Sequence, residues 1–121
     1  MFVLALVMFG ITALGDLTAA VRHLSHQPPP AWLGRVHGTL ALASIIVTAV
    51  AVGRFAASDW KQAMFASGAV AVFFIAAVLG RVLFSFHVRT GNVPRGLIAM
   101  HALAAVTGVL LLVAQILADG S

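Results

Sequence analysis

Residues 96–118 read GLIAMHALAAVTGVLLLVAQILA, an unbroken run without a single Lys, Arg, Asp or Glu. A helix rises about 1.5 Å per residue, so roughly 20 apolar residues cross the ~30 Å of hydrocarbon in a bilayer. The run is long enough, and its one His, one Thr and one Gln are too few to give it a polar face. Working back towards the N-terminus, the same criterion cuts three further spans at about 62–86, 32–54 and 2–22. Breaker chemistry separates them: His26-Gln27-Pro28-Pro29-Pro30, then Ser58-Asp59-Trp60-Lys61, then Thr90-Gly91-Asn92-Val93-Pro94. Connections this short make consecutive helices antiparallel. The expected fold is all-α: an integral membrane four-helix bundle, up-down-up-down, forming a single transmembrane domain over residues 1–121.

Composition agrees. With 121 residues, 62% of them hydrophobic, and only seven Lys and Arg against three Asp and Glu, the chain lacks the polar surface of a soluble domain and the length for a second one. The absence of cysteine excludes disulfides, thiolate metal sites and thioether-linked haem. Its positive charges flank spans rather than forming a patch, so no nucleic-acid partner is expected. No Gly-rich phosphate loop, catalytic triad or metalloprotease helix is present, and nothing points to hydrolysis.

Charge sets the expected orientation. Arg22, Arg35, Arg89 and Arg95 flank the first and third connections, with Arg81 on the same side, while Arg54 and Lys61 flank the second. The positive-inside tendency then places the first and third connections in the cytoplasm and both termini outside it, in a bacterial inner membrane. The first span has no basic leading region and ends in Val21-Arg22-His23 without a small-residue cleavage pattern, so it is read as a retained helix. Trp32 and Trp60 fall at opposite edges, where indole favours the interface.

Sliding the chain by 64 residues lays the first two spans over the last two without a gap. His23 falls on His87, Pro30 on Pro94, Leu33 on Leu97, His37 on His101 and Ala41 on Ala105; Ala5, Phe9, Ile11 and Ala13 meet Ala69, Phe73, Ile75 and Ala77. Matches among small apolar residues are cheap here, but the paired histidines and the proline are not. The repeats cover about 4–54 and 68–118. Each holds two spans, so they share one orientation and are expected to be related by a pseudo-twofold axis along the membrane normal.

All five histidines, 23, 26, 37, 87 and 101, lie towards the same ends of the helices. His37 and His101 sit about one turn inside the second and fourth spans, where an imidazole needs a partner and marks a functional candidate. Each heads a stripe of small residues, Ala41 and Ser44 or Ala105 and Gly108, that can admit a flat ring or a close neighbouring helix. A b-type haem takes two neutral imidazoles from facing helices, with cations near its propionates. The pair His37 and His101 is the most economical ligand set, and His23 with His87 is a second; a haem taking one histidine from each pair also remains open. Arg22, Arg35, Arg89 and Arg95 are placed to neutralise propionates or anionic lipid. His26, and to a lesser degree His23 and His87, also have a plain reading as partners of helix-terminal carbonyls. Zinc at the four repeated histidines is disfavoured because the set contains no carboxylate or cysteine. Asp16 and Arg81 lie at similar depth and are expected to form a buried ion pair.

In its architecture and in His23, His37, His87 and His101, the chain resembles the small four-helix membrane b-type cytochromes. The resemblance implies one or two haems b ligated by these histidines, and an electron-transfer subunit that exchanges electrons with quinone or a redox protein at the cytoplasmic surface. It departs from carriers that pass electrons across the bilayer between haems at both faces, since its histidines occupy one face. A stand-alone enzyme is not expected. The alternative is a cofactor-free accessory or anchor subunit, homo- or hetero-oligomeric, whose small-residue stripes are helix contacts. Solute transport needs a polar path through both leaflets, and the far halves of the helices offer only Thr48, Ser67, Thr12 and Gln115.

Overall fold

The computed structural model describes residues 2–27, 29–56 and 60–119. These form α1 (Phe2–Leu24), α2 (Ala31–Ala56), a 3-10 turn (Trp60–Ala63), α3 (Met64–Thr90) and α4 (Arg95–Asp119). All four α-helices are long and apolar enough to cross a membrane. The expected spans are found with shifted ends. The third helix begins after the 3-10 turn rather than at 62, and it continues past 86 to Thr90. Ser58 and Asp59 of the second connection, and Pro28 of the first, lie outside the described residues.

The helix ends have local causes. Beyond α1 the chain turns left-handed at His26, with φ 57°. The His26 amide donates to the His23 carbonyl and the Gln27 amide to that of Arg22, at 3.2 and 2.8 Å, which is the paired closure of a Schellman motif. A β-carbon is tolerated in that conformation at some cost. At the end of α3 the left-handed position falls to Gly91, φ 71°, whose amide donates to the His87 carbonyl. The prolines that match under the 64-residue shift do equivalent work: Pro30 O accepts from Leu33 and Pro94 O from Ile98, so each opens a helix from the turn before it. The first turn of α3 has no side-chain cap of its own. Gln115 of α4 supplies one, its Oε1 accepting from the Ala66 amide at 3.0 Å.

Around the bundle, α1 packs on α2 and α4, and α3 packs on α2 and α4, leaving α1 diagonal to α3 and α2 diagonal to α4. The diagonals meet through rings at three levels, and each meeting joins residues 64 apart. Phe9 and Phe73 stack with centroids 3.7 Å apart and planes at 10°. His37 and His101 follow at 6.2 Å, and His23 and His87 at 5.2 Å, both nearly perpendicular. Rows of large apolar side chains, such as Val3, Val7, Ile11 and Leu14 on α1, remain exposed on the outside. A water-soluble protein does not leave such continuous faces bare, whereas lipid solvates them.

Polarity is divided along the axis. Phe2, Ala5, Phe9, Ala51, Ala66, Ala69, Phe73 and Leu112 make one buried apolar cluster in the half nearest the second connection. The polar groups in that half turn inward upon the backbone: Thr12 donates to Met8 O, Thr48 to Ser44 O and Ser67 to Ala63 O. The opposite half holds the histidines.

The stripe below His101 does admit a flat ring at Gly108, and the ring is that of Phe73. A β-carbon on Gly108 would lie 2.6 Å from Cε1 of Phe73, and that ring cannot retreat because Phe9 is stacked behind it. Gly108→Ala is therefore expected to destabilise the bundle by about 1–3 kcal/mol. Gly38→Ala, whose added carbon meets nothing within 4 Å, should be neutral or stabilising by up to ~1 kcal/mol through helix propensity. Thermal unfolding of the detergent-solubilised variants checks the contrast, and indistinguishable midpoints would reject the packing described.

Candidate metal centre

His37 lies six residues into α2 and His101 six residues into α4, so both imidazoles enter the bundle about 9 Å from the ends of their helices. Their surroundings repeat. The Nδ1–H of His37 donates to the backbone carbonyl of Thr12 at 3.0 Å, and the Nδ1–H of His101 donates to that of Ala76 at 2.8 Å. Thr12 and Ala76 are again 64 residues apart. A carbonyl oxygen can only accept, so both rings carry their proton on Nδ1 and turn Nε2 inwards.

What they turn to is Asp16. Its Oδ1 lies 2.9 Å from Nε2 of His37 and 3.1 Å from Nε2 of His101, and its Oδ2 also lies 3.1 Å from the latter. One ligand atom from each of the three side chains falls within 4.8 Å of the other two. The group is largely enclosed, with the two imidazoles 18% and 13% exposed and the carboxylate 27%.

Under the 64-residue shift Asp16 corresponds to Gly80. A β-carbon on Gly80 would stand 3.1 Å from Cε1 of His101, and one on the neighbouring Gly15 would stand 3.3 Å from Nδ1 of His37. The two glycines bring α1 and α3 close to the imidazoles. At this position the symmetry of the hairpins is broken: one half supplies a carboxylate and the other supplies room.

This arrangement alters three expectations. Asp16 does not pair with Arg81: its carboxylate is committed to the imidazoles, and Arg81 is exposed on the outer face of α3. Equal depth along the helices suggested the ion pair, but the two side chains point in different directions around them. The metal-ligand set has the carboxylate that the four histidines alone lacked. Thirdly, the residues present do not fit a porphyrin in this geometry. Between His37 and His101 the space for iron and macrocycle is taken by Asp16. Between His23 and His87 the rings meet edge to face at 5.2 Å and leave no slot.

The remaining sequence-selected residues lie at the same end of the bundle without joining the centre. His23 and His87 sit one level further out, with Nδ1 of His87 buried and unpartnered among the described residues. Arg22, Arg35, Arg89 and Arg95 are all exposed. Arg95 lines a pocket of about 390 Å³ with His23, His26 and Asn92, which opens between the first and third connections.

Removing the carboxylate tests whether it is what holds the imidazoles. In Asp16→Leu two inward Nε2 atoms lose their partner, and stability should fall by about 1–3 kcal/mol for each group left unsatisfied. In Asp16→Asn the amide NH₂ offers a hydrogen to each Nε2, so most of that stability should return. Thermal unfolding in detergent compares them; a leucine variant as stable as the asparagine variant would mean the contacts contribute nothing.

Comparison with protein-family models, with curated proteins and with solved structures found no match to this chain.

Proposed function

We propose that this chain is a membrane-embedded metal-binding protein that holds a divalent transition-metal ion between Asp16, His37 and His101. The supporting observation is the convergence of two imidazole Nε2 atoms and one carboxylate within 4.8 Å of one another. Each imidazole uses its Nδ1–H on a carbonyl, and both Nε2 atoms converge on one carboxylate, which can only accept. Something positive must join them. A proton on one Nε2 pairs that ring with the carboxylate but leaves the other Nε2 facing it as a lone pair, and protons on both would set two imidazolium ions side by side in an apolar bundle, where like charges repel with little screening. One divalent ion places its charge at the meeting point and satisfies all three groups together.

The donor set narrows the ion. Two imidazole nitrogens and one carboxylate suit zinc and the neighbouring divalent metals of the first transition row, whereas calcium and magnesium favour oxygen alone. Bonds from Nδ1–H to backbone carbonyls are the outer-shell contacts that fix tautomer and ring orientation in metal sites. Three protein ligands leave a coordination position free for water or an exchangeable ligand. The apolar cluster around Phe9 and Phe73 closes the axis beyond the centre. The ion therefore enters and leaves from the histidine end, and the bundle receives or hands on a metal rather than conducting it across. Arg22, Arg35, Arg81, Arg89 and Arg95 gather at that end, which we assign to the cytoplasm.

Chelator-stripped protein in detergent, titrated with Co²⁺ and followed by ligand-field absorption, tests the proposal, together with Zn²⁺ stoichiometry by elemental analysis. One ion per chain is expected. Asp16→Asn, which retains hydrogen bonds to both imidazoles, and His101→Ala should each weaken binding at least about 100-fold, beyond the 10–100-fold loss typical of an outer-shell contact. No stoichiometric metal in the parent protein, or equal affinity in Asp16→Asn, would overturn the proposal. So would a b-type absorption band on reduction that disappears in His37→Ala.

A further inference from the structure

The outer face of α3 presents a second polar feature, remote from the axis. Arg81, Ser85 and Arg89 are spaced four residues apart and form one stripe along the helix. With Val82, Phe86 and Thr90 they line an open groove of about 500 Å³. Both arginines are exposed. Ser85 stands apart from the other helical hydroxyls. Thr12, Thr18, Thr39, Ser44, Thr48, Ser67, Thr90 and Thr107 each donate to the carbonyl four residues before them. The Ser85 hydroxyl makes no such bond and stays available to the groove.

Depth makes the stripe expensive to leave unanswered. The 27 residues of α3 span about 40 Å, roughly 10 Å more than the hydrocarbon layer. Its first turn, Met64 and Phe65, is apolar, so the overhang belongs to the arginine end. Arg89 then lies among headgroups, and Arg81, eight residues earlier, lies about 12 Å deeper, at the edge of the acyl chains. A guanidinium there extends towards the surface and seeks an anion. Among the described residues no acidic side chain pairs with it. Asp16 is held by the imidazoles.

We infer that this groove binds the headgroup phosphate of an anionic phospholipid, with Arg81 and Arg89 on its oxygens, the Ser85 hydroxyl donating between them, and an acyl chain along Val82 and Phe86. Guanidinium forks match phosphate geometry, and two cations with no internal counter-charge favour a lipid with net negative charge over a zwitterionic one.

A tryptophan placed in the groove reports on the occupant. The variant Phe86→Trp, in a Trp32→Phe and Trp60→Phe background, is reconstituted into vesicles containing either brominated phosphatidylglycerol or brominated phosphatidylcholine at equal mole fraction. The anionic lipid should quench with an apparent association constant on the order of tenfold higher. That preference should vanish in Arg81→Gln with Arg89→Gln, and persist in Arg22→Gln with Arg35→Gln, which removes the same charge elsewhere at the same end. Equal quenching by both lipids, or loss of preference in the second pair as well, would overturn the assignment. Absence of quenching by either lipid would give the groove to another protein surface, such as a second copy. Erasure of the preference by millimolar inorganic phosphate would give it to a soluble anion.

Discussion

A carboxylate about 12 Å inside an apolar bundle has to be answered from within the fold, and the answer organises everything around it. Asp16 is met by two imidazoles from the diagonal helices α2 and α4, and each imidazole is anchored by its far nitrogen to a carbonyl of α1 or α3. All four helices therefore contribute to one small centre, two through side chains, one through a backbone oxygen, and α1 through both. Bundle packing and site geometry are the same set of contacts. This coupling explains why glycine occupies positions 15 and 80, where a further carbon would press on the rings.

The division of the axis follows from the same constraint. Hydrogen-bonding groups that need partners are gathered in one half, so the other half can close as a dry core around the Phe9 and Phe73 stack. The small residue below His101 makes that closure possible, since Gly108 lies against the Phe73 ring. Hydroxyls in the dry half bond back to their own helices, and among the described residues they form no continuous polar path through it.

Much of this was legible in the residues. Four spans followed from length and hydropathy, and helix ends followed from Pro30, Pro94 and Gly91, whose backbone restrictions are local properties. The 64-residue shift pointed to the histidine pairs that meet on the axis, His23 with His87 and His37 with His101; it matched Phe9 to Phe73 only as repeat positions, without showing that these rings stack. The partner of the imidazoles was not legible. Asp16 has no counterpart in the second repeat, so the shift that found the histidines passed over it, and depth alone matched it to Arg81. Rotation of a side chain around its helix separates those two, and rotation is poorly defined on helices that are apolar on every side. How the centre receives a flat ring was equally out of reach, because it depends on which way two Nε2 atoms face.

The odd carboxylate has a consequence for how such a centre arises. Two identical hairpins, assembled as a dimer, present every side chain twice, so they would place two acids beside the imidazoles or none. Joining the hairpins in one polypeptide frees each copy of a position to differ, and a set of two nitrogens and one oxygen donor becomes attainable. A glycine at position 80 where the first hairpin carries Asp16 is thus something that covalent linkage permits and exact symmetry forbids.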